Sequence, residues 1–346
     1  MRPTLLLPAF VSLLALVSPA SSFAADLSKL NIVELAENDA PADLAALPAL
    51  VKAMRARPMT TETPGPVFRL SNLDFLGAKR REKLDLYIAH GPERQDRPAV
   101  LFIHGGGFTG GDKAEYRSAS VSADMARAGY VVVSCNYVLG SKTTPGVWPQ
   151  NIHDCRQAVR WMRQHARELG INPDKIAVAG GSAGGYLALM VGLSDDRTGP
   201  GGDPQAKFPA KVAGVIDMYG VTDFSKHGKG AAAGMDPEAE KSLLPANNIT
   251  PNNPPVLILH GTADTTVALD QSEMIATALR SGKVDSEFIV VTGAPHTFDL
   301  HPKGTGWKST RVSFDATGKE HVETRVNASA ELTDATIAFL ARTIGR

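Results

Sequence analysis

The sequence predicts an α/β fold in which a mostly parallel sheet is covered by helices on both faces. From residue 98 onward, short apolar runs alternate with segments of helical composition, and that alternation produces parallel sheets. The runs at 98–103 and 256–259 are apolar throughout, as strands buried on both faces are. The chain has 346 residues, of which 43% are hydrophobic, so one domain with a large core is expected.

The elements can be assigned in chain order. Residues 67–70 and 83–89 alternate apolar and polar side chains, as half-buried antiparallel strands do. Further strands are predicted at 98–103, 130–134, 175–179, 212–219, 256–259 and 287–291, and helices at 118–128, 151–169, 186–191, 268–280 and 331–342. The polar stretch 225–253 has no clear period, so we expect a surface excursion near the site. No internal repeat and no convincing boundary between domains is found in the sequence.

The N-terminus has the three parts of a secretory signal peptide. Met1 and Arg2 precede the apolar run 5–17, and Ser22, Phe23 and Ala24 follow it, which predicts cleavage after Ala24. The run is too short to span a bilayer comfortably. We therefore expect residues 1–24 to direct export to the periplasm or the cell exterior, and residues 67–346 to form the α/β domain. Residues 25–66 mix helical patterns with prolines and could form either a small cap or an irregular arm.

Charge and composition exclude some classes of partner. The 36 basic and 36 acidic residues cancel, so no basic surface is expected to bind nucleic acid. No cluster of cysteine and histidine suggests a metal site, and no cofactor is expected. Cys135 and Cys155 could pair in an oxidising compartment or stay as buried thiols; both alternatives remain open, as does the oligomeric state.

A predicted strand-to-helix turn contains the sequence Gly-Gly-Ser-Ala-Gly-Gly at 180–185. A Gly-x-Ser-x-Gly pattern in this setting is typical of a nucleophilic serine. Glycines flanking the turn let neighbouring backbone come close, because a Cβ there would collide. Ser182 would stand at the N-terminus of the following helix, where partial positive charge favours a developing anion.

A second glycine-rich loop follows the strand at 98–103. Its sequence, His-Gly-Gly-Gly-Phe at 104–108, leaves backbone N–H groups open to a substrate carbonyl, as an oxyanion hole requires. We expect the N–H groups of Gly106, Gly107 and Ala183 to supply the donors. The alternative is an ordinary glycine-rich loop between a strand and a helix.

The acid of a catalytic triad is predicted at Asp264. This residue follows the strand at 256–259, at the carboxyl end where open α/β sheets bind ligands. Asp217 and Asp223 compete with it, since each lies near the end of the preceding strand. Asp264 could alternatively only cap the next helix.

The general base is predicted at His296, directly after the last strand. His301 lies close in sequence and could be mistaken for the general base, whereas His153 and His165 fall on a predicted helix. The order Ser182, Asp264, His296, each just after a strand, is the chain order of α/β-hydrolases.

These residues resemble those of α/β-hydrolase esterases, especially the hormone-sensitive-lipase-like and the feruloyl and acetylxylan esterase-like branches, which carry His-Gly-Gly-Gly. The resemblance covers roughly residues 83 to 343. The segment 105–113, which ends in Gly-Asp-Lys, is similar to secreted carbohydrate esterases, and Asn136-Tyr137 and the segment 152–154 resemble parts that buttress the site. The chain departs from the pattern at Val138-Leu139, where many relatives have an arginine, and in a long insertion at 301–327.

The resemblance implies a serine esterase that acts through an acyl-enzyme without a cofactor. Its substrate would be a small or polysaccharide-linked ester of a short acyl, acetyl or feruloyl group. Trp148 and Trp307 could stack on sugar or aryl groups or simply pack. One alternative is a peptidase or amidase, although related oligopeptidases usually carry a large extra domain. Another is a non-catalytic binding protein, although no triad residue is missing here.

Overall fold

An eleven-stranded sheet organises the described part of the protein. The structure is a computed structural model that describes residues 30–34, 48–49, 51–52, 65–89, 95–141, 147–227, 237–300, 307–315, 317, 319–326 and 328–345. The strands are β1 Ile32–Glu34, β2 Val67–Leu73, β3 Leu84–Ala89, β4 Arg97–Ile103, β5 Val131–Cys135, β6 Ile171–Gly181, β7 Gly214–Met218, β8 Val256–Gly261, β9 Ser286–Thr292, β10 Lys308–Phe314 and β11 Glu320–Val326. Their order is β1-β2-β3-β5-β4-β6-β7-β8-β9-β10-β11, and the six strands from β5 to β9 run parallel.

Helices cover both faces of this sheet. They are α1 Tyr116–Arg127, α2 Gln150–Gln164, α3 Ala166–Leu169, α4 Ala183–Leu193, α5 Phe224–His227, α6 Pro237–Ser242, α7 Asp270–Ser281 and α8 Ala328–Thr343, with 3₁₀ turns at Pro245–Asn248 and Phe298–Leu300. Successive β4 residues alternate between two apolar cores, one packed against α2, α4 and α7 and the other against α1 and α8. The predicted α/β-hydrolase fold is confirmed by this sheet and its two helical layers. Such layers form because apolar strands with helices between them can be buried only in this way.

Two local predictions differ from the structure. Strand β3 is buried almost throughout rather than half-buried, because the polar residue Asp85 pairs with Lys113 Nζ at 3.0 Å instead of facing water. The helix predicted at 151–169 is divided, since α2 ends at Gln164 and α3 begins at Ala166. The stretch 225–253 was expected to be a surface excursion without a clear period, and its described part contains the end of α5, α6 and a 3₁₀ turn.

The segment 301–327 contributes a β-hairpin that the sequence pattern did not reveal. Strand β10 pairs antiparallel with β9 and with β11, so the interpretation as a mere insertion was incomplete. Its side chains are partly exposed, which removes the apolar runs that signal a strand.

The described part of residues 25–66 contains an edge strand. Strand β1 pairs parallel with β2, and Val51 is buried in a core. The rest of this segment lies outside the described residues, as do the predicted signal peptide and its cleavage site. Among the described residues, no helix combines the length and apolar composition needed to cross a membrane.

Both cysteines are buried as free thiols. Cys135 ends β5, and Cys155 lies in α2 against the same core. Burial, together with a hydrogen bond to Cys135, raises the pKa of the Cys155 thiol well above its ordinary value. The structure thus has the second of the two alternatives, buried thiols without a disulfide between them.

Candidate active site

Ser182 occupies a strained turn between β6 and α4. Its backbone has φ 57° and ψ −123°, a conformation that costs energy in a residue with a Cβ. The turn requires glycine on both sides, because a Cβ added at Gly180 would lie 2.2 Å from Gly184 O, and one at Gly184 would lie 2.1 Å from Ile103 O. The serine side chain is half-buried and stands at the N-terminus of a buried helix.

Asp264 and His296 are joined directly. The His296 Nδ1–H group donates to Asp264 Oδ2 at 2.6 Å, while Asp264 Oδ1 accepts from the N–H groups of Thr266 and Val267. Burial opposes ionisation of Asp264, but hydrogen bonds from His260 and His296 hold its pKa well below the usual range. The carboxylate is therefore charged at neutral pH and leaves Nε2 of His296 as the proton acceptor.

The serine and the histidine are anchored at the same strand end. The Ser182 N–H group donates to Met218 O, the last residue of β7, at 2.8 Å. The ring of the next residue, Tyr219, lies 4.6 Å from the His296 ring between centroids. No hydrogen bond between described atoms joins Ser182 Oγ to His296. In structures without substrate, such contacts between a serine and a histidine are often long and tighten on binding.

The predicted oxyanion loop lies against the serine. A Cβ added at Gly105 would come within 3.3 Å of Ser182 Cβ. Gly106 and Gly107 adopt φ values of 105° and 60° and are exposed. None of the described hydrogen bonds uses the N–H group of Gly106, Gly107 or Ala183 as its donor. These groups therefore remain available for an oxyanion beside the serine.

His104 holds this loop in place. Its Nδ1–H group donates to Gly105 O at 2.7 Å, and its ring stacks on Tyr137 at 4.4 Å. The Tyr137 hydroxyl donates to His104 O at 3.2 Å. Burial lowers the pKa of His104 to about 4, so the ring is neutral and serves as a structural anchor.

The Gly-Asp-Lys tail of the loop is engaged inside the protein. Asp112 accepts a hydrogen bond from Asn136 Nδ2 at 2.8 Å, and the Lys113 N–H group donates to Asn136 Oδ1 at 2.7 Å. The Lys113 ammonium group pairs with buried Asp85. These side chains connect the loop to the sheet and give no direct indication of the substrate.

The competing acids have other contacts. Asp217 is fully buried and accepts a hydrogen bond from the Gly220 N–H group at 2.9 Å, and burial raises its pKa to about 7. Asp223 closes a turn by accepting from the N–H and hydroxyl groups of Ser225. The structure thus pairs Asp264, and neither competitor, with His296.

The competing histidines are also placed elsewhere in the fold. His153 lies within hydrogen-bond distance of two glutamine side chains of α2. His165 separates α2 from α3 and packs on the Trp161 ring at 4.9 Å. His301 lies outside the described residues.

An aromatic cluster borders the oxyanion loop. Its rings lie 4.9 to 5.8 Å apart between centroids and belong to Phe108, Trp148, Tyr186 and Phe224. Phe108 directly follows the loop, and Tyr186 lies one helical turn after Ser182. Trp148 is half-buried in this cluster, whereas Trp307 instead contacts Phe298.

Two arginine side chains with carboxylate partners distant in sequence carried no signal in the sequence. Arg80 donates a hydrogen bond at 2.6 Å to Oδ2 of Asp154, which lies 74 residues further along the chain. The same oxygen accepts a hydrogen bond from the Val138 N–H group. This distant arginine supplies a cationic partner for the carboxylate that the Val138 N–H group also binds. The other is Arg117, a buried cation on α1 that only the folded chain brings to the triad.

Comparison with known proteins identifies the family. The BD-FAE family model matches residues 84–279. The probable carboxylic ester hydrolase LipM of Mycobacterium tuberculosis is 28% identical over 271 residues, which are 70% of this chain and 61% of that protein. Esterase LipQ of the same organism is 30% identical over 257 residues, 68% of this chain and 60% of that protein. The chain thus spans about three fifths of the length of these curated relatives.

Solved structures agree on the architecture. Thermogutta terrifontis esterase 2, phosphorylated by paraoxon, superposes with a TM-score of 0.58 at 27% identity, over 75% of this chain and 89% of that one. A truncated carbohydrate esterase from gut microbiota superposes with a TM-score of 0.62 at 20% identity, over 80% and 96% of the two chains, and shows the fold alone. Because the family model matches more than half of its length, the chain belongs to the BD-FAE family of α/β-hydrolase esterases.

Proposed function

We propose that this protein is a serine carboxylesterase that hydrolyses esters of short acyl groups through an acyl-enzyme. The observation that carries the proposal is the 2.6 Å hydrogen bond from His296 to the ionised Asp264, beside the strained serine turn. An oriented imidazole close to a half-buried serine that a substrate can reach is the arrangement that makes a hydroxyl nucleophilic. The catalytic roles below are part of this proposal.

In this mechanism Ser182 attacks the carbonyl carbon of the ester. His296 Nε2 takes the hydroxyl proton and then delivers it to the leaving alcohol. Asp264 keeps the imidazole in the tautomer that has Nδ1–H and stabilises the imidazolium that forms. Water then attacks the acyl-enzyme by the same steps and releases the acid.

The N–H groups of Gly106, Gly107 and Ala183 would stabilise the negative oxygen of the tetrahedral intermediate. We expect these groups to face the serine, and none of the described backbone hydrogen bonds uses them as donors, so little reorganisation would be needed at the moment of reaction. Loss of one such donor typically costs about 3 kcal/mol in the barrier.

The aromatic cluster favours short acyl groups. Phe108 and Tyr186 are buried beside the oxyanion loop and the serine, so their packed rings leave little room for a long chain on that side. Structures of the Thermogutta esterase have propionate or butyrate bound. We therefore propose acyl groups of about two to four carbons, in line with the ligands of that relative.

The natural ester and the location are further parts of the proposal. The N-terminal pattern supports export to the periplasm or the cell exterior, where acetyl or feruloyl groups on polysaccharides are available substrates. Proteolytic processing after Ala24 in exported material would support this location. Retention of the full chain in the cytoplasm would contradict it.

The test is hydrolysis of p-nitrophenyl esters from acetate to decanoate, beside methyl ferulate, acetylated xylan and a p-nitroanilide. We expect turnover of the short esters above decanoate and above the anilide, complete loss in Ser182→Ala, and labelling of Ser182 by paraoxon. Preference for xylan or ferulate would identify a carbohydrate esterase. Faster amide than ester turnover would indicate an amidase instead, and a wild-type protein without turnover or labelling would contradict an enzymatic role.

A further inference from the structure

A buried guanidinium group lies among the three segments of the candidate site. Arg117 of α1 is 6% exposed, and its Nε–H group donates to Asp299 Oδ2 at 2.7 Å. Asp299 lies three residues after His296, in the 3₁₀ turn that ends the histidine loop. The ion pair therefore connects α1 to that loop across 182 residues of sequence.

Tyr219 completes this network. Its hydroxyl donates to Asp299 Oδ1, and the Arg117 guanidinium lies 4.9 Å from the centre of its ring. The same ring packs on the His296 imidazole. The network thus reaches the proposed base through one aromatic contact.

The guanidinium also fills the space beside the serine turn. A Cβ added at Gly181 would lie 1.8 Å from Arg117 Nη2, and one at Gly105 would lie 3.6 Å from Nη1. Arg117 therefore packs against the residue before Ser182 and against the start of the oxyanion loop. A change at this one side chain would reach all three segments.

The segments that Arg117 contacts are strained. Ser182, Tyr219 and Thr297 have φ values of 57°, 45° and 57°, which residues with large or branched side chains rarely adopt. Such conformations persist only where the surroundings hold them. The hydrogen bond from the Tyr219 hydroxyl to Asp299 and the Arg117–Asp299 ion pair constrain the segments that contain Tyr219 and Thr297.

We propose that Arg117, Asp299 and Tyr219 form a positioning network that aligns His296 with the serine turn. The inference rests on the proposed esterase function. It assigns these three residues no contact with substrate. Their expected effect is on turnover, because misplacement of a base by about 1 Å can cost 100-fold in rate.

The charges in the network give it a distinctive signature. The imidazole of His296 faces Asp264 directly, with His260 on the same carboxylate. It also packs on the Tyr219 ring, which itself contacts Arg117 and Asp299. In Arg117→Gln the uncompensated Asp299 would favour the imidazolium, so the acid limb of kcat/KM should move to higher pH. In Asp299→Asn the uncompensated Arg117 should move it to lower pH, each by about half a unit to one unit.

The experiment measures kcat, KM and the pH profile with p-nitrophenyl butyrate for the two single variants, their double variant and Tyr219→Phe. We expect kcat to fall about 10- to 100-fold in the charge variants, with KM changed less than about threefold. The double variant should return the acid limb to the wild-type position, and Tyr219→Phe should lower kcat without moving it. Acid limbs that coincide in all variants, with kcat within threefold of wild type, would overturn the proposal.

Controls separate positioning from folding and from the enzyme assignment. Arg160 is a buried arginine of α2 that lies near Asp196 and away from these segments. Arg160→Gln should therefore lower stability without moving the acid limb. If Arg117→Gln does not fold, Arg117→Lys and Tyr219→Phe provide the comparison, and the lysine should retain the wild-type acid limb with reduced kcat. An inactive wild-type protein would refute the proposed function itself, whereas an active wild type with unaffected variants would refute only the network.

Discussion

Replacing Asp217 by Asn should stabilise the protein at alkaline pH. The Asp217 carboxyl group is fully buried on β7. Its Oδ1 accepts one hydrogen bond, from the Gly220 N–H group, and its Oδ2 has no partner among the described residues. Burial, opposed only in part by His260, raises its pKa to about 7 from an ordinary value of 3.8. Asparagine keeps the acceptor and removes the charge.

The sign and size follow from proton linkage. Because the folded protein holds this proton more tightly than the unfolded chain, the stability that the protonated carboxyl contributes is present below pH 3.8 and is lost as the pH rises through 7. A shift of this size corresponds to about 4 kcal/mol in total, of which roughly 2 to 3 kcal/mol falls between pH 5 and pH 8. The advantage of the Asn variant should therefore grow by that amount.

Urea unfolding of wild type and Asp217→Asn at pH 5 and pH 8 measures this difference. Asp96→Asn is the control, because hydrogen bonds from Asn172 and Lys175 lower the pKa of that exposed carboxylate. It is thus ionised at both pH values in both states, and its replacement should change stability equally at each. A difference between wild type and Asp217→Asn that is the same at pH 5 and pH 8 would refute the reasoning.

Three further changes test the site. Asp264→Asn should lower kcat about 10⁴-fold while the fold persists, because the imidazole loses its orienting carboxylate; kcat within tenfold of wild type would point to another acid. Trp148→Ala should raise decanoate turnover relative to butyrate, whereas Trp307→Ala, outside the aromatic cluster, should not; equal ratios would exclude an acyl-side role for the cluster. Gly181→Ala should cost about 2 to 4 kcal/mol in unfolding free energy, because the new methyl group displaces the guanidinium of the positioning network, whereas Gly65→Ala, in open space, should be nearly neutral.

Most of the strands and helices that were predicted correctly were found from local sequence patterns. The runs at β4 and β8 are apolar because both faces of those strands are buried, and the pattern alone therefore identifies them. Strand β10 was missed because its partly exposed side chains form no such run. Strand β11 was missed because residues 320–324 are exposed and mostly polar. The break at His165 was missed because the helical composition of α2 continues into α3.

The same division between features with a local sequence pattern and features without one holds at the candidate site. The Ser182 turn is visible in sequence because its glycines are neighbours along the chain. His296 was predicted from its place after a strand and from chain order, and the structure pairs its ring with Asp264. Their catalytic roles stay predictions until the variants are measured.

Sequence by itself determined which strand ends carry the reactive side chains, because parallel strands place their carboxyl ends at one edge whatever the details of packing. Only the tertiary structure decided how those side chains are supported. The contacts of Arg117 with Asp299 and of Arg80 with Asp154 join residues 182 and 74 positions apart. No local pattern encodes such pairs, since each depends on how helices and loops pack on the completed sheet.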